Sequence, residues 1–139
     1  MRILAILALL LIGGCVYLVS QRPHFSGSSP IAIDVRVSAS YVTDTDTNEY
    51  RTSITNRAAC DVILQEFRQA HWVFGSEKQM GTFTIQYDNG KADDVPVLHG
   101  FPHGYYSIIR PGGTYRMPIE RFRSVLTNAG VDVSKFPGD

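Results

Sequence analysis

The chain has 139 residues, 44% of them hydrophobic and 19% charged, which fits one folded domain and excludes an intrinsically disordered chain. Thirteen basic residues balance thirteen acidic ones, so the basic excess typical of nucleic-acid-binding domains is missing and we expect no nucleic-acid partner. The two cysteines are Cys15 and Cys60, and since only Cys60 lies outside the apolar N-terminal run, the domain is expected to fold by core burial without a disulfide.

The chain begins with an apolar segment in which residues 3–20, ILAILALLLIGGCVYLVS, carry no charge. As a helix this segment would extend about 27 Å, close to the roughly 30 Å of bilayer hydrocarbon. We therefore predict that residues 1–20 form a transmembrane anchor or a signal segment. Either one places the protein at a membrane, as a single-pass or lipid-anchored protein of a bacterial envelope with the C-terminal domain exported to the periplasm or the exterior.

Three interpretations of this segment stay open. An uncleaved anchor agrees with the length of the apolar run and with Tyr17 near one end. LIGGC, residues 11–15, resembles the lipobox of bacterial lipoproteins, and this resemblance implies lipidation of Cys15. The apolar run continues after that cysteine as VYLV, where a polar tether is usual. A cleaved secretory signal is the third interpretation, although no small-x-small cleavage site follows the apolar core.

Residues 21–30, QRPHFSGSSP, are rich in serine, glycine and proline and predict a flexible tether. The soluble domain is expected to span residues 31–139. Residues 31–38, IAIDVRVS, alternate between apolar and polar positions, which predicts a half-buried strand, and YRTSIT predicts a second strand.

The segment DTDTNE between these strands invites a calcium interpretation. Asp44, Asp46 and Asn48 match the first three ligand positions of an EF-hand loop. Glu49 and Thr55 occupy the positions that need glycine and glutamate, so a polar hairpin loop is favoured.

A helix is predicted over residues 56–71, NRAACDVILQEFRQAH, with Asn56 as its cap. Cys60 is expected to be a small buried hydrophobe on this helix. Trp72 follows it and is expected either to close the core under a long loop or to serve as an exposed anchor for a partner.

The remaining segments predict four strands and a final helix. TFTIQY and ADDVPVL flank a DNG turn, and YYSIIR and TYRMP flank PGG. Pro96 indicates an edge strand, and Pro118 indicates the first position of the last helix. The order β-β-α-β-β-β-β-α predicts an α+β domain, with a small, mostly antiparallel sheet and two helices on one face.

Four arginines near the C-terminus form a candidate anion site: Arg110, Arg116, Arg121 and Arg123. Arg121 and Arg123 diverge by about 200° on a helix, so the four cannot all converge. Ordinary surface charge is favoured for them.

The stretch VLHGFPHGYY holds most of the candidate site residues. His99 and His103 could bind a metal, and a metal-binding protein or a metal-assisted hydrolase is one alternative, although a third ligand is not evident. A turn with solvated histidines is favoured. The candidate ligand- or partner-binding residues are Trp72, Phe101, His103, Tyr105 and Tyr106.

The sequence has neither a nucleophile elbow nor a phosphate-cradling loop, and it suggests no cofactor. It favours a membrane-tethered, non-enzymatic domain that binds a protein partner in the envelope or a small ligand. A structural accessory subunit of a membrane complex is a further alternative.

Overall fold

The computed structural model describes residues 2–38, 49–75, 77–99 and 104–138. The predicted polar loop with the calcium-like motif lies outside these ranges, apart from Glu49. The α-helices and strands of the described residues are α1 (Arg2–Ser20), β1 (Pro30–Val37), β2 (Tyr50–Ile54), α2 (Arg57–Gln69), β3 (His71–Val73), β4 (Lys78–Tyr87), β5 (Ala92–His99), β6 (Tyr105–Arg110), β7 (Gly113–Pro118) and α3 (Ile119–Asn128), and a 3-10 helix follows at Val133–Lys135.

The strands form one antiparallel sheet in the order β2-β1-β4-β5-β6-β7-β3. The α+β prediction is confirmed, with one strand more than expected. The extra strand is β3, in which Trp72 pairs with Tyr115 of β7. The prediction of a long loop at this point is wrong, because a three-residue strand is too short to show an alternating pattern.

Helices α2 and α3 lie over the same face of the sheet. Phe67 of α2 and Phe122 of α3 both pack on Phe83 of β4, with ring centroids 5.6 Å and 5.8 Å away. The core therefore sits between this pair of helices and the sheet. The predicted cap is confirmed, since the Asn56 side chain accepts a hydrogen bond from the amide of Ala59 at 3.2 Å.

The segment between α1 and β1, predicted to be a flexible tether, packs on the domain. Phe25 is buried and stacks on Phe67 at 6.2 Å. Arg68 donates a hydrogen bond to the carbonyl of Gly27 at 2.9 Å. The composition of the segment does not reveal these contacts, because the partners lie far away along the chain.

Pro96 lies in an interior strand, so the prediction of an edge strand is wrong. A proline is tolerated here because β6 pairs with β5 only at Val97, Leu98 and His99. Pro96 is thus the first residue beyond the paired stretch. The nearby carbonyl of Asp94 instead accepts a hydrogen bond from Nη1 of Arg110 at 3.0 Å.

Helix α1 leaves its large apolar side chains uncovered, with exposed fractions between 38% at Leu18 and 76% at Ile3. It contacts the domain at β3. Across the described ranges, no helix combines the length and apolar character needed to cross a membrane, so the expected spanning helix is not supported.

Candidate functional site

The predicted contact residues fall into three groups. Trp72 is half-buried on β3, and Tyr105 is 42% exposed on β6. Tyr106, by contrast, is fully buried, and its hydroxyl donates a hydrogen bond to the carbonyl of Pro137. Tyr106 therefore does not form part of a contact surface as expected. Tyr105 and Tyr106 are neighbours on β6, so their side chains face opposite sides of the sheet. Phe101 and His103 lie outside the described residues.

The aromatic surface at β3 includes a residue that the sequence reading missed. Phe74, directly after β3, is 84% exposed and packs edge-to-face on Trp72 at 4.4 Å. The indole of Trp72 also lies over β7, since a Cβ at Gly113 would come within 2.5 Å of its Nε1. Trp72 is thus held in place by its neighbours, and Phe74 is the part of the pair that solvent reaches.

His99 packs edge-to-face on Tyr106 at 5.8 Å, and its Nε2 is buried without a hydrogen-bond partner. Because His103 lies outside the described residues, the pairing of the two histidines at a metal stays a prediction. Within the described ranges, no group of three or more metal-ligating side chains comes together.

A cavity of about 820 Å³ opens where β7 passes into α3, beside the end of α2. It forms because β3 pairs with β7 only as far as His71 and Arg116, which leaves Met117 and Pro118 without a strand neighbour on that side. We call it the Arg116 cavity. Its polar lining consists of Arg22, Glu66, Gln69, His71, Tyr105, Arg116 and Arg121.

The charges of the Arg116 cavity are partly paired. Nη2 of Arg116 lies 2.7 Å from Oε1 of Glu77, and its guanidinium carbon lies 5.6 Å from the ring centroid of Tyr105. Nη2 of Arg121 lies 2.8 Å from Oε1 of Glu66. Nε of Arg116 and Oε2 of Glu77 are buried without hydrogen-bond partners.

Arg22 differs from the other two arginines, because it makes no hydrogen bond or ion pair with any described residue. Three guanidinium groups (Arg22, Arg116, Arg121) thus stand against two carboxylates, Glu66 and Glu77. The cavity keeps an excess of one positive charge.

The candidate arginine cluster converges only in part. Arg116 and Arg121 share the cavity, whereas Arg123 donates to the carbonyl of Phe136 at 3.2 Å, and Arg110 is buried elsewhere. The expectation that all four do not converge is confirmed. The participation of Arg22 and His71 was missed, since nothing in their sequence positions indicates that they meet β7.

A second polar cluster is buried under the segment that joins α1 to β1. Asp93 accepts hydrogen bonds from the amide of Ser26 at 2.7 Å and from its hydroxyl at 2.6 Å, and another from the hydroxyl of Tyr87 at 2.9 Å. Nη2 of Arg110 lies 2.7 Å from the same carboxylate.

Burial opposes the charge on Asp93, but the hydrogen bonds from Ser26, Arg110 and Tyr87 outweigh it and lower the pKa of Asp93 to about 2. Burial and the bond to Asp93 raise the pKa of Tyr87. The carboxylate of Asp93 is surrounded by these partners from the chain itself, so we assign the cluster a role in holding the fold together.

The uncovered face of the sheet carries polar side chains that satisfy one another. Asp34 and Asp94 flank Thr84 across three strands. Thr84 donates to Asp94 at 2.7 Å, and Gln86 donates to Asp34 at 2.9 Å. Part of their hydrogen-bonding capacity is used within the sheet, and no cluster of arginines like that of the Arg116 cavity lines this face among the described residues, which makes it the weaker candidate.

Comparison of the chain with known protein families, curated proteins and solved structures gives no match. The described lining of the Arg116 cavity contains guanidinium groups, an imidazole, a carboxylate and a phenol, and it contains no serine, cysteine or lysine.

Proposed function

We propose that this protein is a membrane-attached, non-enzymatic domain that binds a small ligand through an anionic group in the Arg116 cavity. The observation that carries the proposal is the placement of three guanidinium groups, His71 and Tyr105 around one cavity of about 820 Å³. Guanidinium groups match the planar geometry of carboxylates and the oxygens of phosphates, which is why arginine dominates such sites.

The charge balance supports an anionic ligand. Two of the arginines are held in place by carboxylates, which fixes their geometry and leaves further N–H donors for a ligand. Arg22 has no such partner among the described residues, so it supplies the unneutralised charge. Tyr105, at 42% exposed, offers its ring and hydroxyl at the rim.

Helix α1 supports attachment to a membrane. Its exposed side chains are apolar on all sides, and a helix of this kind is stable only in lipid or under a protein cover. The proposal covers both routes predicted from the sequence, insertion of α1 itself and lipidation of Cys15. Mass spectrometry of the N-terminus separates them, since a lipoprotein would begin at a lipid-modified Cys15.

Attachment is tested by floating the full-length chain with phospholipid vesicles on a density gradient. The proposal predicts that the chain rises with the vesicles in both low and high salt, because apolar contact is not screened by ions. A chain that stays at the bottom of the gradient would overturn membrane attachment.

Ligand binding is tested with glycerol 3-phosphate as the probe and glycerol as its neutral counterpart. We expect the phosphate to raise the thermal midpoint of the detergent-solubilised full chain, and glycerol to leave it unchanged. Arg22→Gln should weaken binding by about five- to tenfold, equivalent to about 1 kcal/mol. Arg57→Gln, on the exposed start of α2, is the matched control and should bind normally. Equal binding by both variants would contradict the proposal.

A second candidate function is capture of a protein partner in the envelope. Phe74 favours it, since a large aromatic ring that is 84% exposed is typical of interface anchors. A photo-crosslinking residue at Phe74 should then give one defined adduct in membranes, whereas the same residue at the exposed Val62 of α2 should not. The structural accessory subunit predicts such an adduct too, and identification of the neighbour separates the two.

A further inference from the structure

We infer that the anionic group bound by the Arg116 cavity is the phosphate of an anionic phospholipid headgroup. The inference rests on the proposed function, because it names the ligand class of the same cavity and takes the ligand from the membrane to which α1 is attached. Three features of the structure support it: the position of the cavity, its chemistry and the aromatic side chains beside it.

The cavity lies at the end of α1 that faces the domain. Helix α1 ends at Ser20, and Arg22, two residues later, is part of the cavity wall. A neighbouring depression is lined by Cys15, Val16 and Ser20 of α1 together with Arg22 and His71. Arg22 and His71 therefore line both the depression beside α1 and the Arg116 cavity.

This position corresponds to headgroup level. Arg22 lies two residues beyond the last helical residue, so it is at most about 7 Å along the chain from the helix end. If the apolar side chains of α1 occupy the hydrocarbon region, residues just beyond its end lie among the lipid phosphates, where arginine is commonly found. The cavity would then open towards the headgroup layer.

The chemistry selects an anionic phospholipid over a zwitterionic one. The three arginines offer N–H donors to phosphate oxygens, and Tyr105 adds a hydroxyl. The cavity already has one more guanidinium than carboxylate, so the choline cation of a zwitterionic lipid would add charge of the same sign. A lipid with a net negative charge removes the excess instead.

The same edge of the domain carries aromatic side chains suited to the membrane interface. Phe74 is 84% exposed and packs on Trp72, in the residues that directly follow His71. Tryptophan rings prefer the interface, where apolar and polar surroundings meet, and a phenylalanine ring gains from burial in lipid. Contact with lipid would cover Phe74, which the described part of the chain leaves exposed.

The test uses Trp72, which is the single tryptophan of the chain, as its own probe. Full-length protein is reconstituted into vesicles of phosphatidylcholine alone or of phosphatidylcholine with phosphatidylglycerol. Each preparation contains a lipid that is spin-labelled near its headgroup. We expect stronger quenching of Trp72 fluorescence with phosphatidylglycerol.

Two variants make the test specific for the cavity. The double variant Arg22→Gln/Arg121→Gln should need about tenfold or more phosphatidylglycerol for half-maximal quenching, since each basic residue near a membrane contributes about fivefold. Arg57→Gln should behave like the unaltered chain. A fold check by circular dichroism accompanies each variant.

The outcomes separate this inference from the proposed function. If the chain floats with vesicles and binds glycerol 3-phosphate, yet Trp72 is quenched equally in both lipid mixtures, the ligand is a soluble anion and the lipid inference is overturned. If the double variant is quenched like the unaltered chain, the inference is also overturned. If the chain neither floats nor binds glycerol 3-phosphate, the proposed function itself fails.

Discussion

The carboxylate of Asp93 and the guanidinium of Arg110 lie 2.7 Å apart, and their side chains are only 6% and 7% exposed. This pair joins two strands to the segment that leads from α1. Arg110 also donates to the carbonyl of His24 at 3.0 Å, and Asp93 is bonded to Ser26. The ion pair therefore helps to hold this segment on the domain, together with the stacking of Phe25 on Phe67 and the hydrogen bond from Arg68 to Gly27.

Asp93→Asn removes one charge of this pair and leaves Arg110 buried without a counter-ion. We expect the free energy of unfolding to fall by about 3–5 kcal/mol, measured by urea denaturation. The control is Asp94→Asn on the same strand, an exposed residue whose loss should cost less than about 1 kcal/mol. Adding Arg110→Met to Asp93→Asn should recover part of the loss, because no charge is then left unpaired. Equal effects of the two single substitutions would contradict this role.

The same carboxylate predicts how stability depends on pH. The pKa of Asp93 is about 2 in the folded protein, below its ordinary value of 3.8. A carboxyl group whose pKa is lowered by folding stabilises the folded protein at pH values above its pKa in the unfolded chain. This contribution disappears as the pH falls from about 4 towards 2. Between pH 5 and pH 2 the unaltered chain should lose about 2 kcal/mol more than Asp93→Asn, because other carboxylates titrate in both proteins. If the free energies of unfolding of the two proteins changed with pH in parallel, the lowered pKa of Asp93 would be contradicted.

Phe67 connects α2 with both the sheet and α3. Its ring lies 5.6 Å from that of Phe83 and 5.4 Å from that of Phe122. Phe67→Ala should lower the free energy of unfolding by about 3–5 kcal/mol, through lost burial and the cavity left behind. Val62→Ala, on the exposed side of the same helix, should change it by no more than about 0.5 kcal/mol. The free energies of unfolding of the two variants are compared by chemical denaturation. Similar losses of stability in both would contradict the central place of Phe67 in the core.

Gly81 marks a point where two backbones approach closely. A Cβ at this position would lie 2.2 Å from the carbonyl oxygen of Arg36 in β1, next to a register shift in the pairing of β4 with β5. Gly81→Ala should destabilise the protein by about 1–3 kcal/mol, because β1 and β4 must separate locally. Gly138→Ala, which meets no atom within 4 Å, is the control and should unfold like the unaltered chain in the same thermal melt.

Regular patterns made most of the sheet predictable. The alternation of Ile33, Val35 and Val37 matches the buried face of β1, and Asn56 caps α2 as expected. Tyr105 and Tyr106 show the limit of such patterns: two adjacent aromatic residues must face opposite sides of a sheet, and their types do not say which one is buried.

The Arg116 cavity could not be predicted, because it depends on where a three-residue strand stops. His71 and Arg116 are paired across β3 and β7, and Arg22 reaches them only because the segment after α1 packs on the domain. Neither short-strand pairing nor packing between distant segments leaves a periodic signal in the sequence. Phe74 was missed for a similar reason, since a single aromatic residue in a predicted loop is not distinctive.

Native mass spectrometry of the gently extracted full-length chain tests anion binding in the Arg116 cavity most directly. The protein is released from membranes that contain phosphatidylglycerol, and bound lipid is read as added mass. The unaltered chain and Arg57→Gln should each carry one anionic phospholipid, and Arg22→Gln/Arg121→Gln should lose it. Equal lipid retention by all three proteins, or none on the unaltered chain together with no binding of glycerol 3-phosphate, would contradict anion binding in the Arg116 cavity.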